Sequence, residues 1–113
     1  MVTHDEAGEY GHGAHRLCAD VAKYRLDAAM DPQQYPESYE AYGPWQVKKL
    51  YLHLYNKNEI VMNWRIPLAR FSGKTALEVA QDAYLEHQSQ QRHSNFFVSD
   101  EGKHNAAHFG LAY

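Results

Sequence analysis

The chain has a single cysteine, Cys18, in 113 residues. That excludes an internal disulfide and any cysteine-based zinc finger. Positive charge is also scarce: 11 Lys and Arg stand against 14 Asp and Glu, a net charge of −3. A nucleic-acid-binding surface needs a basic patch, and none is visible. Long apolar runs are missing, so no stretch is long enough to span a membrane. The opening, MVTHDEAGEYGHGAH, lacks the apolar centre of a signal peptide. The compartment stays open, with the cytoplasm only as the default expectation.

No low-complexity tract and no internal repeat interrupts the chain. Its hydrophobic share of 44% and its nine tyrosines are those of an ordinary globular protein. At this length it forms at most one small domain, burying roughly two-thirds of its unfolded surface. The first residues do not look like a natural domain start. Gly8, Gly11 and Gly13 lie among charged and aromatic residues, in a loop with nothing upstream to hold it. Met1 is therefore expected to be an internal methionine or the start of a shortened gene.

Periodicity predicts a helix from about Ala14 to Ala29, with Leu17, Val21, Tyr24 and Ala28 as its inner stripe and Cys18, Ala22 and Leu26 widening it. Cys18 is expected to be buried and inert. Asp31-Pro32 ends the helix, because a residue before proline is pushed out of the α region. Residues 32–46, with three of the four prolines, read as an irregular connection. Val47–Tyr55 is the best strand, with Leu50, Leu52 and Leu54 on one face and Tyr51, His53 and Tyr55 on the other. A turn at Asn56-Lys57-Asn58 leads to a shorter strand, Glu59–Trp64. Thr75-Ala76-Leu77-Glu78 has the form of a capping box opening a second helix that fades near Gln91. A short strand is expected at Phe96-Phe97-Val98.

Chemistry concentrates in Gly8-Glu9-Tyr10-Gly11-His12-Gly13-Ala14-His15, which opens directly onto the first helix. Histidines at i and i+3 share one face of a helical turn. The positive end of a helix disfavours imidazolium, so imidazoles there stay in the neutral form that a metal requires. The same spacing also fits a helix-capping His12 beside a surface His15. Two histidines cannot by themselves close a zinc site.

HDEAGEYGHGAH resembles the third-ligand motif of PIG-L/LmbE-like deacetylases, in which tyrosine–glycine–His-x-x-His stands at a loop-to-helix junction. KKLYLHLYNKNEI, GKTALEVAQDAYLEHQSQQ and HFGLAY resemble later stretches of the same family in the same order. The resemblance implies an α/β fold, a partial Rossmann-like layer of two main helices against a small sheet. Residues 1–113 would then be the carboxy-terminal part of one such domain. It implies a metal-dependent hydrolase that removes an N-acetyl group from an N-acetylglucosamine-type substrate, with Zn2+ as cofactor. His15 matches the zinc ligand, His12 the histidine that stabilises the tetrahedral intermediate and protonates the leaving amine, and Tyr10 the carbonyl polariser. An amidase acting on a thiol conjugate fits the same resemblance.

The family's other ligands and its general base come from a His-Pro-Asp-Asp motif that this sequence lacks. His4-Asp5-Glu6 is a superficial echo of it, and the role of His4 lies between loop structure and substrate contact. The chain alone is therefore expected to bind zinc weakly and to show no deacetylase activity. A remnant or binding module that no longer holds zinc is the rival reading. The expected partner is a small amide or amino sugar, with self-association left open.

Several other residues invite weaker readings. His53 is expected to pack or hydrogen-bond, with substrate contact as the alternative. His87, Ser89 and Gln90 match the family's H-x-S-Q element and belong to structure or pocket wall. His104 and His108 have zincin spacing, but Asn105 stands where the glutamate is needed. Trp45 and Trp64 suit core or rim packing, or stacking on a sugar. Lys48-Lys49 reads as a solvated strand edge.

Overall fold

A computed structural model describes residues 1–9, 11–88, 98–103 and 105–113. They form a small α/β structure with four short strands and three helices. The strands are β1 (Val2–Thr3), β2 (Tyr51–His53), β3 (Glu59–Val61) and β4 (His108–Leu111). The helices are α1 (Gly13–Tyr24), α2 (Pro36–Tyr42) and α3 (Ala76–Tyr84), with a 3-10 turn at Ala69–Phe71. The sheet is mixed, in the order β1-β2-β4-β3. β1 runs parallel to β2, with Val2 opposite Tyr51, and β2 runs antiparallel to β4, with Leu52 opposite Gly110. Among the described residues, no helix is long and apolar enough to cross a membrane.

Two compact units divide the chain, residues 1–59 with 109–113, and residues 60–108. The first has a core of Leu26, Val47, Leu50 and Leu52, with Ala22, Tyr55 and Ala112 packed against it. Leu50 and Leu52 are fully buried, so the expected inward face of this strand is correct at those two positions. The strand itself is shorter than the alternation implied. Leu54 adopts a left-handed backbone (φ +54°), which takes it off the pleat, and regular pairing ends at His53. Asn58, also left-handed, serves the turn before β3, and Lys48 and Lys49 are exposed as expected.

Helix α1 corrects the stripe read from periodicity. Leu17, Val21 and Tyr24 are exposed, Tyr24 by 79%, and so is Cys18. The residues turned inward are His15, Ala19 and Ala22, continued by Leu26 just past the helix. They repeat at intervals of four, three and four, the same helical rhythm two residues out of step. Small side chains on this face let α1 pack against β1. The larger apolar residues do not fit such a close approach. The helix also stops at Tyr24 rather than Ala29, and bonds three residues apart, such as Ala28 N–H to Arg25 O, carry the chain into tight turns.

A helix missing from the sequence reading is α2. Pro36 occupies its first turn and Gly43 (φ +76°) follows its end. That is the usual placement, since proline costs nothing where no N–H partner is available and glycine accepts the left-handed exit. Strands β1 and β4 were not anticipated either. β4 approaches the chain so closely that a Cβ on Gly110 would lie 2.0 Å from the Tyr55 carbonyl oxygen.

The second unit contains the capping box in full. Thr75 Oγ1 accepts from Glu78 N–H, and the Glu78 carboxylate accepts from Thr75 N–H. Helix α3 ends at Tyr84, short of Gln91. Trp64 Nε1 donates to Ala106 O at 2.9 Å, and Arg65 holds Asp100 through two bonds of 2.6 and 2.7 Å. The strand expected at Phe96-Phe97-Val98 lies mostly outside the described residues.

Candidate metal centre at the start of the first helix

The loop between β1 and α1 is built from nested turns. Gly8 N–H donates to Asp5 O, His12 N–H to Gly8 O, and Asp5 Oδ1 accepts from Glu9 N–H. Gly8 is buried with φ +78°, and an added Cβ would meet His12 O at 2.5 Å. Only glycine fits there. An ion pair between Lys23 and Glu6 ties the loop to the far end of α1.

This folding gathers three histidines around one carboxylate, with a fourth, His12, stacked on one of them. His53 Nδ1 donates to Glu9 Oε1 at 2.7 Å, and His4 Nδ1 contacts the same oxygen at 3.1 Å. His15 Nδ1 lies 3.7 Å from Glu9 Oε2. The His4 and His15 rings stack in parallel with centroids 4.0 Å apart, and the His12 ring lies 4.5 Å from His15. His53 is itself buried, its ring beside Phe109.

Electrostatics follow from this packing. The hydrogen bond from His53, aided by His4, outweighs burial and lowers the Glu9 pKa from 4.5 to about 2. Glu9 is therefore a carboxylate at any ordinary pH. Burial, then the neighbouring His4, lowers the His15 pKa from its usual value and favours the neutral ring.

Among the described residues, one group of three metal-capable side chains comes together. His4, Glu9 and His15 each offer a donor atom, all within 4.8 Å of one another. Two imidazoles and a carboxylate are a donor set that suits a borderline divalent ion such as Zn2+. The residues present thus fit the metal that the family resemblance implies.

His15 and His12 are brought together at the helix start, as their spacing suggested. His12 holds the N-cap position, but its side chain makes no capping bond. Tyr10 lies outside the described residues, as do Ser89, Gln90 and His104. His87 is exposed, with its ring near Tyr84. Trp45 is exposed at a cavity of about 280 Å³ that Tyr35, Tyr39 and Tyr42 also line.

Glu9 is the residue that sequence reasoning missed. It stands five residues from His4 and six from His15, in a loop where no helical or strand repeat runs through all three. The only available signal was an acidic residue inside a histidine-rich, glycine-rich loop.

Known proteins that this chain is similar to include three of one description. The chain is 47% identical over 51 residues to a 1D-myo-inositol 2-acetamido-2-deoxy-α-D-glucopyranoside deacetylase of Frankia alni. Proteins of the same description from Geodermatophilus obscurus and Saccharopolyspora erythraea are 43% and 41% identical over 51 residues. Each alignment covers 45% of this chain and 16–18% of the relative. The match thus spans less than a fifth of the length of these curated relatives. No family model matches the chain, and no solved structure does.

Proposed function

We propose that this chain is a segment of a PIG-L/LmbE-like, metal-dependent deacetylase whose substrate is an N-acetylglucosaminyl group carried on inositol. The observation that carries this reading is the 41–47% identity to three deacetylases of that description. The paired His12 and His15 at a helix start support it.

In this reading His15 holds the metal, and the ionised Glu9 lies 3.7 Å from its ring. A divalent ion held there would supply an activated water and positive charge near the acyl carbonyl. Amide hydrolysis forms a carbon–oxygen bond to a water oxygen and breaks the carbon–nitrogen bond, and the proton lost by the water ends on the departing amine. In this reading His12 donates that proton, and its ring, 4.5 Å from His15, is consistent with the role. Tyr10, two residues before His12, takes the role of a hydroxyl donor that polarises the acyl carbonyl.

The experiment is amine release from N-acetylglucosaminyl-inositol by the protein that carries this segment. A thiol-conjugate amide serves as the competing substrate. Release from the amino sugar supports the proposal. Release from the thiol conjugate alone makes the protein an amidase of another substrate class, and release from neither removes the hydrolase reading.

A further inference from the structure

We propose that His4, Glu9 and His15 form a three-ligand site for a borderline divalent metal ion, Zn2+ or Co2+, assembled wholly within this chain. The proposal shares His15 with the hydrolase reading. It does not depend on that reading's substrate or reaction, and it assigns ligands that the resemblance does not.

Donor chemistry comes first. Three protein ligands drawn from histidine and glutamate are what an open zinc site uses, with solvent in the fourth position. All three side chains are partly exposed, so water can reach such a position. Hard cations such as Mg2+ and Ca2+ prefer sets made of oxygen, which two imidazoles do not supply.

The support around the ligands is the second observation. A ligating carboxylate normally needs an outer partner to hold it. Glu9 has one: His53, buried on β2, binds Oε1 at 2.7 Å and leaves Oε2 toward His15. The backbone support is the Gly8 turn, which no other residue fits.

Geometry sets the cost of binding. Tetrahedral bonds of about 2.0–2.1 Å place donor atoms about 3.4 Å apart. The three donors, now within 4.8 Å, must close by up to about 1.4 Å. Parallel stacked rings cannot both aim their in-plane lone pairs at one ion, so His4 or His15 must turn about its Cβ–Cγ bond. The His4–Glu9 hydrogen bond then gives way to two metal bonds.

The test is titration of the metal-free 113-residue chain with Zn2+ against a chromogenic chelator, with Co2+ absorption as a second readout. One equivalent of metal is expected, with a visible Co2+ band of the intensity shown by four-coordinate sites. His4→Ala and Glu9→Gln should each weaken Zn2+ binding by more than about tenfold. His53→Asn should weaken it by about tenfold, the scale of lost outer-shell support. His87→Ala, at an exposed histidine outside the loop, should leave it unchanged. Circular dichroism checks each variant, and Glu9→Asp replaces Glu9→Gln if the latter does not fold. If His15→Ala abolishes binding while the His4 and Glu9 variants bind as the parent does, the proposal falls and the hydrolase reading stands. Failure of the chain to bind Zn2+ overturns the proposal and leaves the hydrolase reading to amine release.

Discussion

Glu9 Oε1 accepts a hydrogen bond from His53 Nδ1 at 2.7 Å, joining the glycine-rich loop to a buried position on β2, 44 residues away in sequence. This bond fixes the carboxylate around which His4 and His15 gather. Two distant parts of the sequence thereby become one site.

Its first consequence is acid sensitivity. The Glu9 pKa is about 2 in the folded chain and near 4.5 when unfolded. A lowered carboxylate pKa stabilises the fold above the unfolded value. That contribution is lost as pH falls from about 4.5 toward 2. Glu78 and Asp100 also have lowered values and share this acid limb, so the contribution of Glu9 is read as a difference. Unfolding midpoints of metal-free Glu9→Gln should fall less steeply over this window than those of the parent chain. Equal slopes would mean that the His53–Glu9 bond does not form in solution.

The buried strand gives the second prediction. Leu52 is fully buried in the core, so Leu52→Ala should cost about 2–5 kcal/mol by chemical denaturation. Leu54, left-handed and partly exposed, should cost clearly less on the same substitution. Similar losses at both positions would mean that the strand continues regularly through Leu54.

Close backbone approach gives the third. Gly110→Ala puts a methyl 2.0 Å from the Tyr55 carbonyl oxygen, and backbone cannot move aside as a flexible side chain can. The variant should be destabilised by several kcal/mol or fail to fold, the upper end of single-residue effects. Wild-type stability would place β4 farther from Tyr55.

Much of this architecture was legible in the sequence, but unevenly. The capping box at Thr75 and Glu78 was readable because both partners lie within one turn, so no tertiary information is needed. Leu50 and Leu52 were readable because alternation reports directly on a strand's buried face. The stripe on α1 was not. Leu17, Val21 and Tyr24 keep a helical repeat as regular as that of Ala19 and Ala22, and hydrophobicity favours the larger set. Close packing against β1 selects the smaller. The position of His15 follows from that same choice, since it begins the alanine face. Helix α2 had its signals in Pro36 and Gly43, but the surrounding prolines masked them. The candidate site was half legible: His12 and His15 stood out by spacing, whereas His4, Glu9 and His53 meet only once the loop folds onto β2.

The most direct measurement compares His12→Ala with His15→Ala in the protein that carries this segment, recording metal content and amine-release rates for both. His15→Ala should lose the metal and the activity together. His12→Ala should keep metal and substrate affinity while turnover drops by about a hundredfold or more, the scale of losing a positioned proton donor. If His12→Ala releases the metal while His15→Ala retains it, the two roles are reversed and this account of the site is wrong.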